Sequence, residues 1–228
     1  QLRGSHPMQV VSGRIDRPII HFEAPGREIL DVELDAFITW FNDSKEDTAL
    51  DPLIRAAICH LWFVTLHPLD DGNGRITRLL TDLALAQAEQ QSVRFYAMSV
   101  GILANRKRYY EVLETTQKGG LDITPWLSWF LEILNETFAD VLCGIDETLF
   151  KTNYWLRIDQ TKLTSEQVKV LNRMLDGDFE DGINTSQYHK VAKVSKATAT
   201  RHLSALVDSG CLVKSEAGGR STRYLLAR

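Results

Sequence analysis

Residues 67–78 read HPLDDGNGRITR, a strongly polar dozen set between two long apolar helical patterns. Gly72 and Gly74 let the backbone take positive φ and approach a ligand closely. Successive N–H groups in such a turn form a concave nest for an anion. A helix beginning near Gly74 would point its positive N-terminus at the same spot. Arg75 and Arg78, three apart, share one face of its first turn, and an arginine fork suits phosphate. Gly72, Asn73, Gly74, Arg75 and Arg78 together describe a polyphosphate cradle. Asp71 stands at its lip, where a carboxylate can hold Mg²⁺ bridging phosphates. His67 ends the preceding helix, and its imidazole can take a proton near neutral pH.

Each piece has a plainer reading. Asp-Gly-Asn-Gly is also a common turn, and a lone histidine is more often structural. A calcium loop fails on spacing: counted from Asp71, position 5 is Arg75 and position 12 is Asp82, where an EF-hand needs an oxygen ligand and a glutamate. Counting from Asp70 puts Gly72 at position 3, which is no better. What the plainer readings leave unexplained is the coincidence of all these parts within twelve residues.

Something rigid must hold such a loop. Ile29, Leu30, Leu34, Phe37, Ile38 and Phe41 recur at helical spacing and predict a helix over 28–42. A second, over 51–66, has Pro52 in its first turn and apolar residues almost all round, so it is expected to be central and buried. Further helices are expected over 74–91 and 99–117, the latter stopping at Gly119–Gly120. A longer one starts near 122–125 and is read as continuing, with a break, to about 159. Residues 10–25, rich in β-branched types, predict an extended segment or small hairpin.

After Lys162 the texture changes. Thr164-Ser-Glu-Gln167 opens a helix as a capping box would. A second clear helix spans 195–208 and ends at Gly210. Cys211–Lys214 and Tyr224–Leu226 read as two strands joined at Gly218-Gly219. Three helices and a two-stranded wing match a winged helix-turn-helix pattern, with turn and second helix over 190–203. The expected domains are therefore 1–160, mostly α, and 161–228. Charge divides the same way: 161–228 holds 11 basic and 7 acidic residues, whereas the remaining 160 hold 15 and 23. Lys190, Lys193, Lys196, Arg201, Arg220 and Arg223 are candidate phosphate contacts if this part binds DNA. A protein-docking or dimer module is the alternative, since a net +4 is weak for DNA.

Composition is that of a globular chain: 228 residues, 44% hydrophobic and 25% charged. No run approaches the length a membrane helix needs, so no membrane partner is expected. QLRGSHPM contains no apolar run of signal-peptide type. Three scattered cysteines, Cys59, Cys143 and Cys211, argue against a disulfide framework or zinc site and read as buried thiols in a reducing cytoplasm.

The stretch 67–78 resembles the signature of Fic-domain proteins, HPFxDGNGRxxR, matching eight of nine specified positions with Leu69 in place of Phe. The resemblance continues through AAICHLWFVTLHP and RKRYYEVLETTQKGGLDITPWLSWFL, over roughly residues 10–140. It implies a helical core with a small β-hairpin flap at about 14–24, followed here by the winged helix. It also implies transfer of AMP from ATP to a Tyr, Thr or Ser hydroxyl of a target protein, with pyrophosphate released. By position, His67 would deprotonate the hydroxyl, and Asp71 would hold Mg²⁺. Gly72, Asn73 and Gly74 would line the anion hole, and Arg75 and Arg78 would bind the β- and γ-phosphates. Tyr110 and Gln117 would lie against the adenine; core packing is the other reading of the Tyr-Tyr pair. The flap would add a strand to the target's extended segment. A target protein, a homodimer and DNA are the candidate partners.

Many Fic members carry an inhibitory helix, [ST]xxxE[GN], whose glutamate pairs with the second motif arginine, here Arg78. Ser128-Trp-Phe-Leu-Glu132 fits the first part, but Ile133 follows in an apolar helix. The chain starts at about the flap, so the resemblance implies a form lacking an upstream inhibitory segment and active in self-modification. Restoring that segment is expected to suppress AMP transfer. Two other classes stay open: a nucleotide-sensing transcription regulator, and a Fic enzyme that removes AMP or transfers another phosphate-containing group. The intact His67 speaks against a pure sensor.

Overall fold

Asp51 accepts from the amides of Leu53 and Ile54, so it caps the helix that Pro52 starts. This helix, α2 (Pro52–Leu66), is the centre of the first of two compact units. The structure is a computed structural model and describes residues 1–14, 16–89, 97–215 and 222–227. The units are 1–143 and 144–228.

In the first unit, a hairpin of β1 (Gln9–Arg14) and β2 (Arg17–Glu23) precedes α1 (Arg27–Asp43) and α2. Then come α3 (Asn73–Glu89), α4 (Met98–Ala104), α5 (Arg106–Lys118) and the 34-residue α6 (Thr124–Arg157). The core gathers Leu30, Phe37 and Phe41 of α1, most of α2, and Trp126, Trp129, Phe130, Ile133 and Leu134 of α6. Trp126 buries its ring and donates from Nε1 to the Ala57 carbonyl, 2.9 Å away, so the indole leaves no unpaired donor. The near all-apolar α2 is buried as its pattern requires, with Cys59, Leu61, Phe63, Val64 and Leu66 inside.

The α3 face against the core is not a leucine stripe. Leu79 and Leu83 are exposed, whereas Thr77, Thr81, Ala84 and Leu85 are buried. Thr77 and Thr81 bond back to the carbonyls of Asn73 and Thr77, which satisfies their hydroxyls inside the helix. Small side chains there let the α2 and α3 backbones come close. The single helix expected over 99–117 is two, because Asn105 leaves helical geometry (φ −107°, ψ 28°) and its side-chain amide donates to the Gly101 carbonyl at 3.2 Å. The break expected before 159 is absent, since α6 runs unbroken through Gly144. The hairpin begins at Gln9 rather than 14; the expected flap segment covers the turn and β2 only.

In the second unit, α7 (Ser165–Leu175), α8 (Thr185–Ala192) and α9 (Lys196–Asp208) precede an antiparallel pair, β3 (Leu212–Lys214) and β4 (Tyr224–Leu226). The capping box is there: Thr164 and Gln167 exchange backbone and side-chain bonds at 2.9 and 3.3 Å. Asn184 and Gln187 make a second box that the sequence reading passed over. Lys193 takes left-handed geometry (φ 55°) in the short turn between α8 and α9, and Ser195 caps α9. Tyr154, late in α6, is fully buried in this core and donates to the Cys211 carbonyl at 2.6 Å. That packing places the unit boundary earlier than the texture change at 161. The Gly218-Gly219 turn and Arg220 lie outside the described residues.

Cys59 and Cys211 are buried as expected, but Cys143 is exposed, as are residues 142–150 of α6 around it. Among the described residues, no helix is long and apolar enough to cross a membrane.

Candidate active site

The α2 helix ends at His67, which adopts left-handed geometry (φ 47°, ψ 54°). A non-glycine residue there is strained and is held by its surroundings. The His67 amide bonds the Phe63 carbonyl at 3.2 Å. The ring lies with Nδ1 3.1 Å from the Val64 carbonyl oxygen. A carbonyl only accepts, so Nδ1 carries the proton and the neutral ring keeps its lone pair on Nε2. Burial holds the imidazole below its ordinary pKa; the bond to Val64 opposes that, and the positive charge of Arg3 adds to it.

The following loop is pinned from two sides. Leu2 pairs with Leu69 in an antiparallel bridge, and the Arg3 amide donates to the Pro68 carbonyl at 3.0 Å. On the other side, Asn73 receives the Leu69 amide at 2.9 Å and donates to the Leu69 carbonyl at 2.7 Å. Leu69 itself is only half-buried, so backbone pairing does much of the anchoring.

Gly72 takes φ +87°, a conformation that glycine adopts without cost. Its carbonyl receives the amides of Arg75 and Ile76, both at 3.0 Å. The Asn73 and Gly74 amides are first-turn groups of α3, for which a helix supplies no carbonyl. They open on a cavity of about 290 Å³ lined by His67, Asp70, Asp71, Gly72, Asn73, Gly74, Arg75 and Arg78. Base, acidic lip, helix N-terminus and both arginines thus share one space. Arg75 is extended into solvent, 73% exposed, and pairs with the 91% exposed Asp71 at 3.0 Å. Arg78 is half-buried and also lines a neighbouring cavity of about 490 Å³, with Ser99, Val100, Ile102, Leu103, Arg106, Tyr109 and Tyr110.

The residues expected at the adenine part company. Tyr110, 48% exposed, stands in that second cavity with the Arg106 guanidinium 5.7 Å from its ring centre. Gln117 turns its amide to the Thr65 hydroxyl of α2 at 3.0 Å and lines neither cavity. Glu132, the near match to an inhibitory glutamate, pairs with Arg108 at 2.9 Å. Asp70 and Arg106 line the cavities without having been singled out. Tyr109, in the wall of the second cavity, is joined to a network in the core: buried His60 contacts the Thr81 hydroxyl at 2.9 Å and the Tyr109 hydroxyl at 3.2 Å. Burial, helped by the charge of Arg78, pushes the His60 pKa down to about 3, so the ring is neutral. A histidine inside an apolar helix pattern is the one sequence signal that marks it.

Among the described residues no trio of metal-ligating side chains converges. A cation at Asp71 would depend on a ligand's oxygens for most of its shell, which is how Mg²⁺ is commonly bound beside phosphates.

Residues 6–85 match the family model described as Fic/DOC. The chain is 31% identical over 123 residues to the protein adenylyltransferase Fic of Aedes aegypti, covering 54% of this chain and 23% of that protein. It is 27% identical over 168 residues to the protein adenylyltransferase fic-1 of Caenorhabditis elegans, covering 72% and 31%. A crystal structure of a Fic family protein from Desulfovibrio desulfuricans aligns at 18% identity over 99% of this chain and 62% of that chain, with a TM-score of 0.48. The chain thus spans about a third or less of the length of the curated relatives it matches.

Proposed function

We propose that this chain, whose residues 6–85 match the Fic/DOC family, transfers AMP from ATP to a Ser, Thr or Tyr hydroxyl of a protein and releases pyrophosphate. The observation that carries the proposal is that His67, with Nδ1 committed to Val64, lines the same cavity as the α3 N-terminus, Arg75 and Arg78. His67 Nε2 takes the proton of the acceptor hydroxyl. The acceptor oxygen attacks the α-phosphorus, and the bond to the bridging oxygen of the β-phosphate breaks. The Asn73 and Gly74 amides and the arginines meet the charge that develops on the phosphate oxygens. Asp71 is an exposed hard-oxygen donor and fits Mg²⁺, which would supply further charge neutralisation on the phosphates.

Among the described residues the hairpin β1–β2 pairs with no third strand, which suits docking of an extended target segment by strand addition. For the second unit we infer a winged helix that binds DNA: Lys190, Lys193, Lys196 and Arg201 are exposed around the α8–α9 turn and α9. Arg223 contributes less, since its guanidinium bonds the Gly182 carbonyl at 2.9 Å. Binding that is absent at low salt, or flat in salt, would remove the DNA reading. A reducing cytoplasm suits the buried thiols of Cys59 and Cys211.

The deciding experiment incubates the chain with α-labelled ATP, Mg²⁺ and cell lysate, beside His67→Ala. Label on protein that disappears in the variant supports AMP transfer. Label from γ-labelled ATP instead would mean phosphorylation, and no label from either would overturn the proposal.

A further inference from the structure

Arg3 is buried, 3% exposed, and joins two separate parts of the first unit. Its amide donates to the Pro68 carbonyl at 3.0 Å, one residue beyond His67. Its guanidinium reaches the other way, and Nη2 donates to the Pro25 carbonyl. Pro25 directly follows Ala24, whose amide bonds the Met8 carbonyl at 2.8 Å and closes the base of the β1–β2 hairpin. One residue thus ties the hairpin base to the loop that carries His67. Leu2, bridged to Leu69, and Gln1, whose carbonyl receives the Asp70 amide at 3.3 Å, keep the Arg3 backbone in register. A different tie, His21 to Glu114 at 2.7 Å, runs from the hairpin to α5.

Stability is a poor reason for such a residue. Among the described residues Arg3 Nε is buried with no hydrogen-bond partner. A buried charge with an unsatisfied donor costs free energy, and an apolar side chain of similar volume in its place is often neutral or stabilising. What the guanidinium supplies and an apolar chain cannot is the directional bond to Pro25. Arg3 lines neither cavity at the motif, so whatever it does for the chemistry it does through the hairpin and the loop.

We propose that Arg3 is a positioning residue for AMP transfer: it sets the hairpin that docks the acceptor segment at a fixed place relative to His67, which takes the acceptor proton. The inference rests on the AMP-transfer and hairpin-docking readings above. In-line attack needs the reacting atoms within about 3.5 Å, and a shift of about 1 Å can cost roughly a hundredfold in rate. A tie between hairpin base and base-bearing loop therefore acts on the rate of transfer and not on the binding of ATP.

The test follows transfer of label from α-labelled ATP, with Mg²⁺, to lysate proteins by the whole chain and by Arg3→Met, over a range of ATP concentrations. The expected result is a rate at saturating ATP lowered about tenfold or more, with the KM for ATP unchanged. The melting temperature should hold, as should binding of an ATP analogue with a methylene bridge between the α- and β-phosphates. Arg3→Lys, which keeps a donor for Pro25, should recover part of the rate. An Arg3→Met protein that melts early and no longer binds the analogue would make Arg3 merely structural and overturn the proposal, as would a wild-type rate. Ile19→Pro, at an exposed hairpin position, tests docking separately. Label lost in Ile19→Pro but kept in Arg3→Met sinks this inference alone. Label kept in Ile19→Pro removes hairpin docking and this inference with it, and no label from the wild type removes AMP transfer as well.

Discussion

The His67 imidazole gives its Nδ1 proton to the Val64 carbonyl at 3.1 Å, so the helix that the residue terminates also fixes its tautomer. Burial, reinforced by Arg3, lowers the ring's pKa. The base form is therefore present above a pKa that lies under the ordinary histidine value, and it is lost as pH falls through it. The acid limb of AMP transfer should accordingly lie below the ordinary imidazole range. His67→Ala should reduce the rate about 10²- to 10⁴-fold and remove that limb. Initial rates against pH check both; a limb at or above the ordinary histidine value would contradict the assigned environment.

The loop chemistry was legible in the sequence because its parts are contiguous. Gly72, Asn73, Gly74, Arg75 and Arg78 sit within seven residues, so one local turn and one helix start bring them together whatever the rest of the chain does. Helix positions were legible for the same reason, since periodicity is local. What escaped was long-range or competitive. Nothing near Arg3 says that its amide will meet Pro68, and Gln117 meets Thr65 across 52 positions. The helical period over α3 does not say which face packs: Thr77, Thr81 and Leu85 are buried while Leu79 and Leu83 are exposed. Asn73 was read as part of an anion nest, but its side chain is spent on Leu69 and only its backbone is left for a ligand.

That last contact makes Asn73 a residue to test by stability as well as rate. Asn73→Ala removes one donor and one acceptor from a buried position, which should cost about 1–3 kcal/mol. Asn73→Asp keeps the bond from the Leu69 amide but sets a carboxylate against the Leu69 carbonyl, so it should not rescue. Thermal melts beside transfer rates check this. A stable but inactive Asn73→Ala protein would show that the side chain serves the ligand rather than the loop.

His60 links α2 to Thr81 of α3 and Tyr109 of α5 while staying neutral, with its pKa pushed down to about 3 chiefly by burial. Between the ordinary histidine value and about 3, an unfolded chain binds a proton at this position and the folded chain does not. Stability from this residue is thus lost as pH falls through that window. His60→Asn should destabilise by about 2–4 kcal/mol at neutral pH, through lost packing and hydrogen bonds. The gap between wild type and variant should narrow by about 1 kcal/mol per pH unit on acidification within the window. Denaturant titrations at pH 7 and pH 5 read the difference; a constant gap would mean that His60 is protonated in the fold.

Arg75 and Arg78 share a helix face but not an environment. Arg75 stands 73% exposed against an even more exposed Asp71, where water screens most of its charge. Arg78 is half-buried and borders both cavities, so a phosphate beside it would meet a less screened guanidinium. Loss of one charge-assisted contact in such a place costs about 1.5–3 kcal/mol, or roughly 10- to 100-fold in binding. Arg78→Ala should therefore raise the KM for ATP by about that factor, and Arg75→Ala by less than about tenfold. Arg78→Lys should recover little, because a point charge cannot reproduce two parallel donors. Transfer kinetics at varied ATP concentration measure all three variants, and an Arg75→Ala defect larger than that of Arg78→Ala would reverse the assignment of the main phosphate clamp.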